Sequence, residues 1–366
     1  MHIIYPKRFV IKGVPKMNSD KADEDFYFVS CMKELLSFLK EDSLYDYNYL
    51  CSISGASFSF LWDTSNWNPL DDITALGCQW HEPIDRVFDA IGFEYEIINN
   101  DNSLECKNMM LKRMKYSLYI ERKPVLAWGV LNEEPICCII TGYDDGGETV
   151  IGWHYRQFSQ GLCNEYDYGG YFRKTGWFCH TCQILLVGNR CNKPDFLQIT
   201  KQAMQYGSNM ILKQKSILGY SCGINAYDAW IADMNDETAF PEDINTLKLR
   251  TGCIYRTCEV AAEVYWNGMD FMKAVSTWHD LMAEDALMAA ADFVAQTDNM
   301  YKIWYLLGAL QDEDVRVKKI ERREVRKEIV SILENAKKRD IMAATNIQRG
   351  LKKIKIMKKM YYLKPE

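Results

Sequence analysis

Between residues 93 and 190 the chain returns again and again to short apolar runs: FEYEII, PVLAWGVL, ICCIITGY, ETVIGWHY and QILLVG. Each has the length and β-branched or aromatic content of a strand. From Asp195 onward the runs stop and apolar residues recur at helical spacing, as in Phe271, Val275, Trp278 and Met282, then Ile303, Trp304, Leu307 and Leu310, then Ile347, Leu351, Ile354 and Met357. This single change of period, from two to three or four, constrains the fold more than any other feature. Asp144-Asp145-Gly146-Gly147 between two apolar runs predicts a hairpin over 136–154, because glycine tolerates the positive φ that tight turns demand. Upstream, Phe28, Val29, Met32, Leu35, Leu36 and Leu39 form one broad stripe preceded by an acidic stretch, the pattern of a helix start. Ile84, Val87, Phe88 and Ile91 predict a second helix ending at Gly92, and SGASFSFLWD (54–63) reads as a short helix or a turn and strand. The expected class is α+β: an N-terminal helix packed on an antiparallel sheet, followed by an all-helical C-terminal region. The junction near Asn192-Lys193-Pro194 gives domains 1–194 and 195–366.

A chain of 366 residues has enough length for two cores. No run approaches eighteen uncharged apolar residues, which argues against a membrane span. The opening MHIIYPKRFVIKG lacks the basic start, apolar core and small-residue cleavage site of a secretory signal, so the expected location is the cytoplasm. Thirteen cysteines, an odd number set in apolar contexts such as ICCII and WFCHTC, fit reduced thiols better than a disulfide framework. From Val315 to the end, Lys and Arg outnumber Asp and Glu by roughly three to one. Val325, Ile329, Ile332, Leu333 and Ala336 recur there at helical spacing, so the charge reads as the wet face of a docked helix and argues against nucleic acid as a partner.

A series of local matches gives a more specific expectation. DFYF (25–28), the helix to Lys40, YDYNYL (45–50), CSISGASFSF (51–60), KPVLAWG (123–129) and ITGYDDGGETVIGW (140–153) follow one another in order. Together they resemble the N-terminal family of butirosin biosynthesis protein H, a bacterial group related to papain-like cysteine peptidases and acyltransferases, whose members would carry D-C-T-F and M-G-x-S-G-x-A-F-R at the first and fourth of these places. The resemblance covers about the first 190 residues, and GINAYDAW (223–230) is its best match beyond them. It implies a papain-like domain with a cysteine at the N-terminus of the first long helix, where amide dipoles and an imidazolium lower a thiol pKa, and a histidine on a facing strand. The corresponding positions here are Phe26 and Ile136, and no histidine lies between His81 and His154. Neither side chain can attack a carbonyl or take a proton, so the resemblance implies a fold kept and a dyad lost.

Other residues offer alternatives. Cys51, just before SGAS, is a displaced nucleophile with His154 as its base, or else a small buried hydrophobe. Ser54-Gly55-Ala56-Ser57 lacks the nucleophile-elbow spacing and reads as a tight turn. Cys179 and Cys182 have metal-ligand spacing, with Cys163 and Cys191 as conceivable partners, but strand alternation would send the two thiols to opposite faces. Glu133-Glu134 and Asp144-Asp145 fall in turns and read as solvated pairs. Trp153, Tyr155, Phe158, Tyr166, Tyr168, Tyr171, Phe172 and Trp177 crowd one segment, either as packing or as the lining of a ligand cleft. The expectation is a non-catalytic protein with no cofactor and no metal, binding a small amphipathic, acyl or peptidyl ligand near Phe26, Ser54, Gly55, Ile136, Trp153, His154 and Tyr155. An acyltransferase or amide hydrolase using Cys51, and a partner-binding protein acting through its basic tail, are the alternatives. The oligomeric state stays open.

Overall fold

The computed structural model describes residues 4–16, 24, 26–41, 45–69, 73–131, 136–154 and 165–362, with side chains through 354. In chain order the elements begin with β1 (Phe9–Val10), α1 (Tyr27–Phe38), α2 (Tyr47–Ser54), β2 (Leu61–Trp62), α3 (Glu82–Ile91), β3 (Phe93–Asn99) and α4 (Leu104–Lys115). Then come β4 (Val125–Trp128), β5 (Cys137–Asp144), β6 (Thr149–Trp153), β7 (Phe172–Thr175), β8 (Gln183–Arg190), α5 (Phe196–Leu212), β9 (Ser216–Ile217) and β10 (Tyr220–Cys222). The chain closes with α6 (Ile224–Asn235), α7 (Ile244–Trp278), α8 (Ala283–Leu306), α9 (Glu313–Ile320) and α10 (Arg323–Tyr362). The class is α+β, with helices and an antiparallel sheet first and long helices last. Two compact units result, Met1–Leu50 with Thr74–Pro194, and Cys51–Ile73 with Asp195–Glu366.

In the first unit the strands lie in the order β3-β8-β4-β5-β6-β7, each pair antiparallel. β1 pairs with the end of β5 that β4 leaves open, Phe9 opposite Tyr143 and Val10 opposite Gly142. This pairing requires glycine at 142, because a Cβ there would stand 2.4 Å from the Phe9 carbonyl oxygen. The predicted hairpin is β5 and β6, turning through Asp145 to Gly147 with positive φ at all three. Asp144 is not a solvated half of a carboxylate pair: it accepts from Arg8 at 2.6 Å, from Arg173 at 2.9 Å and from the Asp145 amide at 2.8 Å. Burial alone would raise its carboxyl; the bonds from Arg173, the Asp145 amide and Arg8 prevail and hold it at about 2.

The strands β4, β5 and β6 are buried along nearly their whole length, which is why they read as continuous apolar runs rather than alternating ones. α1 covers the face carrying Trp128 and Cys137, which are cross-strand neighbours. Phe28 stacks on Trp128 with ring centroids 5.8 Å apart, and the Cys31 thiol bonds that of Cys137. α4 interrupts the region that the sequence reads as strand. Its buried residues are only Cys106, Met110 and Met114, one narrow line, and its start depends on Ser103, whose hydroxyl accepts from the Cys106 amide at 3.0 Å.

The second unit is built around the segment that follows α2. Phe58 lies edge-on to Phe271 (6.2 Å) and beside Phe293 (6.1 Å), Phe60 stacks on Tyr227 (4.3 Å), and Trp62 stacks on Trp230 (4.5 Å) while its indole donates to Asp233 at 2.7 Å. β2 pairs with β10, which pairs with β9, to make a small sheet. α7, 35 residues long, folds back onto α8 through a short connection, and α10 packs on α8, α5 and α6. The apolar stripe of α10 is buried as its spacing requires, through Ile329, Leu333, Ala336, Ile347, Leu351 and Ile354. Its charge is more than a wet face: Arg339 reaches Asp292 at 3.1 Å, while Arg349 and Lys353 reach Asp285 at 2.5 and 2.7 Å, both aspartates being buried on α8. Leu310 departs from the predicted stripe; it lies beyond the end of α8 and is exposed.

A polar thread also crosses this core. Tyr227 and Tyr265 share a hydroxyl–hydroxyl bond, Tyr265 donates to Asp340 at 3.0 Å, and Gln296 donates to Tyr227 at 2.8 Å and to the Ala336 carbonyl at 2.7 Å. Burial pushes the Asp340 carboxyl up to about 6 against the opposing bonds from Gln296, Tyr265 and Tyr227. A folded-state pKa above the unfolded one means that this group's stabilisation is complete below about pH 4 and is lost as pH rises through about 6. Asp340→Asn should therefore gain on the wild type between pH 4 and pH 7, by on the order of 3 kcal/mol, in urea unfolding series at the two pH values. Parallel pH profiles would refute the assignment.

Close approach in the same unit gives a second test. A Cβ at Gly207 of α5 would stand 2.5 Å from the Phe58 ring, whereas one at Gly252 of α7 meets nothing within 4 Å. Gly207→Ala should cost about 1–3 kcal/mol through overpacking. Gly252→Ala should instead gain about 0.5–1 kcal/mol from helix propensity, with both read from unfolding midpoints.

Candidate functional site

The first long helix begins where the papain resemblance places a nucleophile. Phe26 is its N-cap, with extended φ and ψ and no side chain that could cap. Its amide donates to the Tyr47 hydroxyl at 3.0 Å and its ring lies 6.3 Å from that of Tyr47. The next residue, Tyr27, meets the His154 ring at 5.6 Å between centroids. The histidine just past β6 thus meets the helix start through Tyr27, a residue the sequence alone does not single out. Ile136 stands immediately before β5, and its carbonyl accepts from the Gly129 amide at 3.2 Å. Trp153 is cross-strand to Ile139 and lies edge-on to Tyr171 at 6.0 Å, with the Lys16 ammonium 4.9 Å above its ring. Phe26, Tyr27, Ile136, Trp153 and His154 are all buried. The helix start is filled with rings, and no thiol stands there to use its amide dipoles. Tyr155 lies outside the described residues.

The remaining candidates divide between the units. Cys51, Ser54 and Gly55 belong to the second, whereas His154 belongs to the first. Cys51 and Ser54 are buried, the Ser54 hydroxyl donates to the Cys51 carbonyl at 2.9 Å, and a Cβ at Gly55 would stand 2.3 Å from the Tyr206 ring. Ser54 and Gly55 shape a tight turn against α5. Cys179 is the exposed last residue of a 3-10 turn whose Trp177 and Phe178 are buried, and Cys182 follows just before β8. Among the described residues no three His, Cys, Asp or Glu side chains gather as metal ligands. The aromatic segment serves packing where it is buried: Phe172 and Trp177 are in the core, the Trp177 indole donating to the Gly147 carbonyl at 2.9 Å, while Tyr168 is exposed.

Within the second unit a pocket of about 440 Å³ opens between α5 and the end of α7. Phe196, Thr200 and Met204 occupy it from α5 at four-residue intervals, and Val275, Trp278 and Met282 from α7 and the turn beyond. His279 and Asp280 supply an imidazole and a carboxylate. Phe196 lies edge-on to Trp278 at 4.7 Å, and Trp278 keeps 39% of its surface exposed. Val275, Trp278 and Met282 belong to one helical stripe in the sequence, and the signal within it is a large amphipathic ring next to a histidine and an aspartate at the helix end. The volume and composition suit a ligand with an apolar body and one polar end. No family model matches the sequence, and no curated protein matches it.

Proposed function

We propose that the protein is a non-catalytic relative of the papain-like group which binds a small amphipathic molecule, with an acyl or aromatic body and a head group that both donates and accepts hydrogen bonds. The carrying observation is the pocket beside Trp278, whose lining combines Phe196, Met204, Val275 and Met282 with His279 and Asp280. Burying an acyl chain there gains roughly 25 cal/mol per Å² of apolar surface removed from water. The non-catalytic part of the reading is supported by Phe26 and Ile136 standing where the resemblance calls for a thiol and an imidazole, and by the burial of Cys51. The buried state of Phe26, Ile136 and Trp153 argues for seating the ligand at the Trp278 pocket rather than at the start of α1. The free thiols of every described cysteine favour a reducing compartment, the cytoplasm. No described helix is long and apolar enough to cross a membrane.

Titration with N-decanoylglycine, followed by calorimetry, should give saturable one-to-one binding. Trp278→Ala should weaken it about tenfold or more, since a central aromatic anchor carries a large share of such binding. Unchanged affinity in Trp278→Ala, or no saturable heat in the wild type, would remove the pocket from the proposal. Turnover of a decanoyl thioester with an adduct at Cys51 would replace binding with acyl transfer.

A further inference from the structure

Helix α8 is apolar on two faces, and the fold covers one of them. Ala286, Ala289, Phe293, Met300 and Ile303 are buried on the helix that packs against α7 and α10. Elsewhere on its circumference Leu287, Ala291, Val294, Asp298, Tyr301 and Tyr305 follow one another in alternating steps of four and three residues, and all of them are exposed. That spacing is the seam of a coiled coil, here about 27 Å long. Leu287 keeps 53% of its surface open, Val294 41%, Tyr301 46% and Tyr305 62%. The neighbouring helices turn a different surface to solvent: Lys327, Glu328, Glu334, Lys338 and Lys352 are exposed on α10, and Arg256, Glu259, Glu263 and Lys273 are at least partly exposed on α7. Beside the seam of α8, by contrast, only Glu284 and Lys302 add charge. A helix that is apolar nearly all round is one that an assembly buries on both sides.

We propose that this face of α8 pairs with the same face of a second copy of the chain, antiparallel about a two-fold axis at the level of Val294 and Asp298. With the adjoining Met288, exposed as well, the seam leaves roughly 500 Å² of side chain open, at the upper end of what a monomeric protein shows in one patch. Two such faces together bury about 1,000 Å², the size at which specific interfaces begin. The face is also complementary to itself. Its first half carries the smaller residues and its second half the rings, so the antiparallel sense sets Leu287 against the partner's Tyr305 and Ala291 against the partner's Tyr301. A parallel pairing would instead stack ring on ring at one end, leave a gap at Ala291 and bring Asp298 onto Asp298. In the antiparallel sense Asp298 meets the partner's Val294, and Lys302 follows it by four residues in its own helix, the spacing that brings opposite charges together. One charged residue in an otherwise apolar seam weakens the pairing and fixes its register. Two acids and one base along the face neither drive two copies apart nor select a strongly charged partner, which favours self-association through a closed two-fold contact.

Sedimentation velocity on the full chain, from about 1 to 100 µM, should show a reversible monomer–dimer equilibrium with a dissociation constant on the order of 10 µM. Val294→Glu, which sets a second carboxylate against the partner's Asp298, should weaken it about tenfold or more, whereas Val294→Lys should keep it within about threefold of the wild type. Trp266→Glu, at an exposed position of α7, controls for added charge and should leave the equilibrium unchanged. Thermal unfolding followed by circular dichroism shows that each variant keeps its fold. In the double variant Ala291→Cys with Tyr301→Cys, mild oxidation should join position 291 of one copy to position 301 of the other, read by peptide mass spectrometry. A wild type that stays monomeric at about 100 µM would overturn self-association and give the seam to a helix of another protein. A dimer indifferent to Val294→Glu would place its interface elsewhere, and equal weakening by Glu and Lys, or links from 291 to 291, would overturn the antiparallel pairing.

Discussion

The stacking of Phe60 on Tyr227 and of Trp62 on Trp230 is what the second unit depends on. These rings belong to a stretch separated by more than a hundred residues from the helices that receive them, so closing that loop carries an entropic cost which only dense aromatic burial can offset. The receiving helices are shaped for it. Gly207 admits the Phe58 ring, and Gly268 admits the Ser57 carbonyl oxygen at 3.0 Å from where a Cβ would stand. The Tyr227–Tyr265–Asp340 thread then ties three helices together at the same level, with Asp340 leaving one carboxyl oxygen unpaired in the core. A buried carboxylate half-satisfied in this way fixes the register of α6, α7 and α10 at the expense of some stability at neutral pH.

Charge has a second role on α10. A run of Lys and Arg suggests a surface for nucleic acid or acidic partners, yet Arg339, Arg349 and Lys353 are directed at Asp292 and Asp285. Those aspartates are buried, so losing their cationic partners leaves charge stranded in the interior. The basic composition of this helix is thus partly an internal electrostatic requirement of its packing against α8.

In the first unit the sheet places chemistry by register. Trp128 is opposite Cys137 on one side and Gln183 on the other, which sets an indole, a thiol and an amide in one row under α1. At the end of that row the Gln183 side-chain oxygen meets His81 at 3.2 Å. The start of α1 is filled by Phe26, Tyr27 and Phe28.

The sequence by itself determined the main order of structure: the large sheet before residue 190, long helices after 195, the hairpin at Asp144–Gly147, the start of α1 and the end of α3 at Gly92, but not the short strands β9 and β10 beyond Asp195, too brief to show a period of their own. These depend on local period and on backbone conformations that only a few residues tolerate, so they can be read without knowing any distant contact. It also fixed which residue types are absent from positions 26 and 136. α4 stayed hidden because a helix burying only Cys106, Met110 and Met114 has too narrow a stripe to stand out from its polar surroundings. Only the tertiary structure decided that residues 51–73 join the helical unit, that Tyr27 meets His154, and that Phe196 and Trp278 frame a pocket. Each of those is a meeting of segments far apart in the chain, set by shape and volume in a close-packed interior, and a periodic pattern carries no record of which distant face it will meet.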